Sequence, residues 1–286
     1  MEREIGWQSA IEIGYVGSKG SHLGRQYNIN QPERSATATV FPYPAFTTIN
    51  YYGFNSNSSY NAATFILRRR LSGNFFYRVS YTYGKSIDDT SQLTGNSDGG
   101  YLGAQNARDL HQDRGRSDWD IGHSVTTSFS WTSPKSSGKF LRDWQVAGTG
   151  RVNTGQPFTP QVSNVNLALG EANRPDRIAK GTISNPDANR WFDVPAFPVV
   201  PQGSFKFGNS GRSILDAPGM AQINVSLLRN FHIQERHRVQ FRWEVFNILN
   251  HANLGVPVVN VNAPNAATII TASDGRLMQL GIRYSF

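Results

Sequence analysis

The chain has 286 residues, with 28 Lys and Arg against 20 Asp and Glu, a formal net charge of +8. It has no cysteine, which excludes disulfides and thiolate metal sites. No stretch reaches the roughly 18 apolar residues of a membrane helix, but a strand-crossing protein hides its apolar residues by alternation, so hydropathy windows do not exclude one. The basic residues are dispersed, and the only tight run is Arg68-Arg69-Arg70, so a nucleic-acid partner is not expected. The opening MEREIGWQSA lacks a basic-then-apolar export segment. Because Trp7 is read as already beginning a strand, the chain is read as the C-terminal piece of a longer one.

In chain order, eight segments carry strand signal: 7–16, 60–71, 74–84, 119–132, 143–154, 221–231, 237–248 and 276–286. Alternation is clearest in the third, fourth, seventh and eighth. The second, with FILRRRL, could also begin a helix. No segment has a capped helical period. The last, RLMQLGIRYSF, sets Met278, Leu280, Ile282, Tyr284 and Phe286 against Gln279, Gly281, Arg283 and Ser285. Its aromatic-x-Phe ending resembles the terminal strand that serves outer-membrane proteins as an assembly signal, carried here by Tyr284 and Phe286.

The connections alternate between long (17–59, 85–118, 155–220, 249–275) and short (72–73, 133–142, 232–236). Outer-membrane barrels have long external loops and short periplasmic turns. The fold class expected is therefore all-β, an antiparallel transmembrane β-barrel of about eight strands with its C-terminus in the periplasm. A soluble antiparallel sheet explains the alternation equally well. It does not explain the loop rule and the terminal Phe together.

That topology predicts aromatic girdles. The periplasmic strand ends carry Trp7, Phe75, Tyr77, Trp131, Trp144, Tyr284 and Phe286, all on the phase assigned to lipid. The outer ends carry Tyr15, Tyr60, Tyr83 and Phe246, less tidily in phase. The opposite phase includes Arg78, Arg151, Arg242, Glu244 and Arg283, which would face a wet lumen. Glu244 is expected to bridge Arg242 and Arg283 across the last two strands.

No grouping carries enzymatic chemistry, so neither a catalytic residue nor a cofactor is expected. Asp109, Asp113, Asp118 and Asp120 cluster around HQDRGRSDWD, but their spacing does not fit a calcium loop. Salt bridges within the loop, to Arg114 and Arg116, are the expected use. His232 and His237 are five apart in a short turn and read as solvent-exposed rather than metal-binding. Gly17, Gly20 and Gly24 read as a flexible loop, and LTGNSDGG (93–100) as a polar one.

Four stretches carry a family resemblance: EIGYVGSKGSHL (12–23), YNAATFILRRRLSGNFFYRVSYTYGKSIDD (60–89), RGRSDWDIGHSVTTSFSW (114–131), and FGNSGRSILDAPGMAQINVSLLRNFHI (207–233) leading into RVQFRWEVFNILNHANLG (238–255). In this order they resemble the C-terminal barrel of the Oar-like TonB-dependent transporters of Acidobacteria and relatives, often preceded by a carboxypeptidase-regulatory-like domain. The resemblance implies a barrel of about 22 strands, an N-terminal plug and energisation by TonB. Residues 1–286 would then be a single partial barrel domain. Its expected partners are outer-membrane lipid, the remaining strands and plug, the TonB complex through that plug, and the barrel assembly machinery. The implied substrates are large: carbohydrate, peptide or protein cargo. The competing readings are a small self-contained structural or adhesive barrel and a soluble β-sheet binding protein. In the partial-barrel reading the sheet is open, with edges near 7–16 and 276–286.

Overall fold

A computed structural model describes residues 1–35, 37–91, 104–134, 136–138, 140–162, 174–201, 204–233 and 237–286. In chain order the strands are β1 (Glu2–Gly6), β2 (Ser9–Asn28), β3 (Glu33–Arg34), β4 (Thr39–Val40), β5 (Asn50–Ser72), β6 (Phe75–Asp88), β7 (Gly115–Arg116), β8 (His123–Thr132), β9 (Trp144–Asn153), β10 (Pro157–Phe158), β11 (Leu215–Asp216), β12 (Met220–Ile233), β13 (His237–Phe246) and β14 (Leu277–Ser285). Two 3₁₀ turns, Leu110–Asp113 and Val194–Ala196, complete the elements. All eight expected segments contain a strand, and the ambiguous 60–71 lies within β5.

The main sheet is an antiparallel meander in the order β1-β2-β5-β6-β8-β9-β12-β13-β14, with β7 added against the C-terminal end of β6. Two small pairs, β3–β4 and β10–β11, stand apart. Among the described residues the sheet is not closed, and its edges are β1 and β14. The first edge is thus Glu2–Gly6 and not 7–16. Trp7 and Gln8 form the hairpin between β1 and β2 with φ of 50° and 56°. Positive φ at both positions gives the turn twist that a two-residue hairpin requires. Trp7 therefore sits in a turn and does not begin a strand.

The long-short rule survives with different boundaries. β2 has 20 residues and β5 has 23, far beyond the roughly 9–11 needed to cross a bilayer. The glycine cluster at Gly17, Gly20 and Gly24 is consequently not a loop. It lies in β2, paired with β5 through irregularities at Gly20/Leu23 and Leu23/Arg25.

Register fixes the two faces. Phe75 lies opposite Trp131, Tyr77 opposite Phe129, Trp243 opposite Leu280 and Phe241 opposite Ile282. The alternate residues place Arg78 opposite Ser128, Arg151 opposite Thr126 and Gln222, and Glu244 opposite Ser226 and Gln279. At Gly148 an added Cβ would meet the Phe129 ring at 2.5 Å, so that ring lies over a glycine on its neighbouring strand. On β14, Leu280 and Ile282 are 70% and 79% exposed. A soluble sheet would bury such residues against a second layer. The clustered apolar core lies elsewhere, in the long connections.

Candidate functional site

The described parts of the connections 154–219 and 247–276 fold together at the long-loop end of the sheet. Their core comprises Phe158, Val162, Phe192, Ala196, Phe197, Leu215, Ala217, Val261 and Ala267. Phe192 packs between Phe158 and Phe197, with ring centroids 5.5 and 6.0 Å away. Backbone bonds tie the two connections: Trp191 N–H donates to the Ala267 carbonyl at 2.9 Å and Ile269 N–H to the Ala188 carbonyl at 2.7 Å. The indole of Trp191 donates to the Asp216 carbonyl at 2.8 Å. The proline-rich stretch that breaks the sheet is thus an irregular but packed cap.

Beside this core lies a buried ionic hub. Arg212 is fully buried and pairs with Asp88, which is also fully buried. Its guanidinium also donates to the Asp113 carbonyl at 2.8 Å, the Ser91 hydroxyl at 2.9 Å and the Asp88 carbonyl at 2.8 Å. Asp113 accepts from Arg25 on one carboxylate oxygen and from Arg174 on the other, the latter at 2.8 Å. Arg174 N–H donates to Gln105 Oε1 at 2.6 Å, and Gln105 Nε2 donates to the Gly208 carbonyl at 3.0 Å. Five segments distant in sequence are therefore held by charge-assisted bonds in a buried site, with Arg25 Nε left without a hydrogen-bond partner. Such pairs persist when most of the surrounding donors and acceptors are satisfied.

The acidic run enters this hub in a way its sequence does not reveal. Asp113 and Asp118 take Arg25, Arg174 and Arg212 from other segments, whereas Arg114 and Arg116 turn to Asp89 and Asp216. The expected internal salt bridges are replaced by bridges between loops. Asp120 accepts the Ser86 N–H at 2.6 Å. Among the described residues no group of acidic or His side chains is placed to hold a metal. Arg25, Arg174, Arg212 and Asp88 went unseen as functional residues, and SGRS around Arg212 gives no chemical signal by itself. The loop 93–100 lies outside the described residues.

A family model described as "Outer membrane beta barrel domain" matches residues 1–279. The chain belongs to this family. No curated protein matches it. Among solved structures, the outer membrane transporter YddB from Escherichia coli is similar, with a TM-score of 0.57 and 10% identity. That match covers 99% of this chain and 31% of the transporter, so the chain spans about a third of its length. At this identity the likeness speaks for the fold.

In this outer-membrane barrel domain, the predicted girdle residues gather at the short-turn end. Tyr77 Oη lies 3.1 Å from Ser9 Oγ, and the Trp144 indole donates to the Phe140 carbonyl at 3.0 Å. Arg229, on the same face, lies over the rings of Trp144 and Phe231 at 5.0 and 4.7 Å. Tyr284 stacks on His237, whose Nδ1 is 2.5 Å from the phenol oxygen, and its ring centroid is 5.6 Å from that of Phe286. His237 is therefore a ring partner rather than a solvated histidine, whereas His232 is exposed. At the other end Tyr15 and Tyr83 share the apolar face. Tyr60 and Phe246 fall on the polar face, opposite Ser18 and Leu277.

The five charged candidates share the polar face but do not form one cluster. Arg242 lies 3.8 Å from Glu244 and donates to Gln240 at 3.3 Å. Arg283 sits opposite Gln240, and among the described residues it forms no ion pair with Glu244. The expected three-residue bridge is thus a pair, because Glu244 is opposite Gln279 and four positions away from the Arg283 level. Arg78 lies opposite Arg68, which is drawn instead to Glu2.

Proposed function

We propose that this domain is part of the barrel of a TonB-dependent outer-membrane transporter that takes up a large substrate. The observation that carries this reading is a likeness to an outer membrane transporter across 99% of the chain. In this reading the long-loop end is external and the short turns and C-terminus are periplasmic. The apolar face meets lipid, and Arg78, Arg151, Arg242, Glu244 and Arg283 line the lumen. Trp7, Phe75, Tyr77, Trp131, Trp144 and Tyr284 form the periplasmic girdle. Tyr284 and Phe286 present the strand to the assembly machinery, and a plug outside this chain contacts TonB. The domain is not an enzyme and uses no cofactor.

The absence of cysteine makes the topology directly testable. Single cysteines at Ile178 or Ile270, each 73% exposed in the cap, should react with an impermeant maleimide on intact cells. A cysteine at Gly138, in the short turn between β8 and β9, should react only after the outer membrane is opened. The reverse pattern would sink the orientation. For energisation, strains lacking this gene or TonB are compared on polysaccharide, peptide and protein carbon sources. Loss of growth on the same source in both supports the reading, and a growth defect confined to the gene deletion counts against TonB coupling.

A further inference from the structure

One patch at the long-loop end is used by neither the hub nor the cap core. From Ser35 to Leu67 there is no Asp, Glu, Lys, Arg or His, in a chain that is 17% charged. Within this stretch Tyr43, Phe46, Tyr51, Tyr52 and Phe54 are each 47–75% exposed. These rings lie on the 43–46 turn and on the end of β5 that pairs with the distal part of β2, where Tyr52 is opposite Gln26 and Asn50 opposite Asn28. Both strands are here well past the length that crosses a bilayer, so lipid is not what covers the rings.

The backbone beneath them is fixed. Asn30 is fully buried, accepts the Tyr43 N–H at 2.7 Å and donates to the carbonyls of Tyr43 and Phe46 at 3.2 and 2.7 Å. Asn28 accepts the Ile49 N–H at 3.0 Å and the Asn30 N–H at 2.9 Å. Tyr27 and Tyr51 meet edge to face at 5.5 Å, and Asn55 donates to the Tyr27 hydroxyl at 3.4 Å. A rigid backbone displaying exposed rings loses little entropy when those rings are covered. Contiguous exposed apolar area of this kind marks a binding surface.

The chemistry of the patch narrows its occupant. A phosphorylated or acidic ligand needs cations, and residues 35–67 supply none. A protein partner favours arginine beside the aromatics, and the flanking Arg108 is engaged by Glu33 and by the Gln31 carbonyl. The flanking Glu33 is paired with Arg108 at 3.0 Å. What remains are aromatic faces interleaved with the amides and hydroxyls of Asn28, Asn50, Asn55, Thr47 and Thr48. Rings with polar handles suit a ligand that is apolar on one face and rich in hydroxyls at its edge. We infer that this patch binds a neutral oligosaccharide, which makes carbohydrate the substrate class. The inference rests on the transporter reading above.

The test uses the full-length protein in detergent and calorimetric titration with maltoheptaose, cellohexaose, xylohexaose and laminarihexaose, with oligogalacturonate as the acidic control. At least one neutral oligomer should bind, and the acidic one should not. Tyr43→Ala/Phe46→Ala and Tyr52→Ala/Phe54→Ala should each weaken binding by tenfold or more. Trp119→Ala, exposed in a different connection, should leave it within twofold. Asn30→Ala should weaken binding although Asn30 offers no exposed atom. Failure of all four neutral sugars to bind, or binding indifferent to both double variants, overturns the inference. Maleimide labelling of the same variants on cells keeps the outcomes apart. Correct labelling without sugar binding removes only the carbohydrate assignment, whereas failed labelling removes the barrel topology beneath it.

Discussion

Arg212→Leu should detach the cap without melting the sheet. The substitution leaves Asp88 fully buried with its Arg partner gone, and removes the Arg212 bonds to the Asp113 carbonyl and the Ser91 hydroxyl. Breaking a buried pair by removing one partner costs about 3–5 kcal/mol. If that cost falls on local opening, the open fraction rises by roughly two to three and a half orders of magnitude, at about 1.4 kcal/mol per tenfold. Amide hydrogen exchange of the barrel in detergent reads this directly. The reporting amides are Ser213, bonded to Thr159 Oγ1 at 2.8 Å, Asp118, bonded to Ser91 Oγ at 2.8 Å, and Arg174, bonded to Gln105 Oε1 at 2.6 Å. They should exchange faster by that factor, while Leu227 and Trp243 in the β12–β13 ladder should not change. Adding Asp88→Asn to the Arg212 variant should recover part of the protection, because a neutral amide is less costly to bury than a lone carboxylate. Unchanged cap amides, or cap and sheet amides accelerating together, would refute the view that the hub is a local latch.

Three further outcomes test the architecture. Val225→Arg, on the apolar face opposite Gly148 and Val245, should destabilise the barrel in lipid vesicles by about 2–4 kcal/mol, whereas Ser226→Arg next door should be near neutral by urea titration. Phe192→Ala removes a side chain that is 1% exposed and should cost the cap about 3–5 kcal/mol, seen as faster thermolysin cleavage within 174–201 on whole cells. Gly155→Ala would place a Cβ 1.7 Å from the Ala217 carbonyl oxygen and should abolish the β10–β11 pairing, while Gly138→Ala, with no atom within 4 Å, should be silent in the same proteolysis assay.

What the sequence made legible follows the range of each interaction. The sheet is written in nearest neighbours: Met278 to Tyr284 alternates, Gly73 permits the turn between β5 and β6, and both signals need only a few residues. β1 escaped because Glu2, Arg3 and Glu4 blunt the alternation and Trp7-Gln8 lacks the glycine that usually marks a two-residue hairpin. The long-loop halves of β2 and β5 escaped for a different reason. These strands run well past the length that crosses a bilayer, and GSKGSHLG and NSNSS there carry no apolar period to read. The hub is the extreme case, joining residues 61, 88 and 124 positions apart, and a single sequence does not encode which Arg meets which Asp.

These differences divide the domain by the solvent each part was built for. The sheet leaves Trp243, Leu280 and Ile282 uncovered and so depends on lipid for its apolar face. The cap buries Phe158, Phe192 and Phe197 in a core of its own, as a water-facing unit must, and pairs its Arg174 and Arg212 with Asp113 and Asp88 outside it. Among the described residues, the bonds from Arg212 to Asp88 tie this cap to the sheet through side chains that are both fully buried. The 43–54 surface keeps its exposed rings in place by a different device, the side chains of Asn28 and Asn30 that hold the backbone of residues 43–49. Without those bonds Tyr43 and Phe46 would be free to collapse onto the strand ends beside them, and that surface would lose the feature that best suits it to bind.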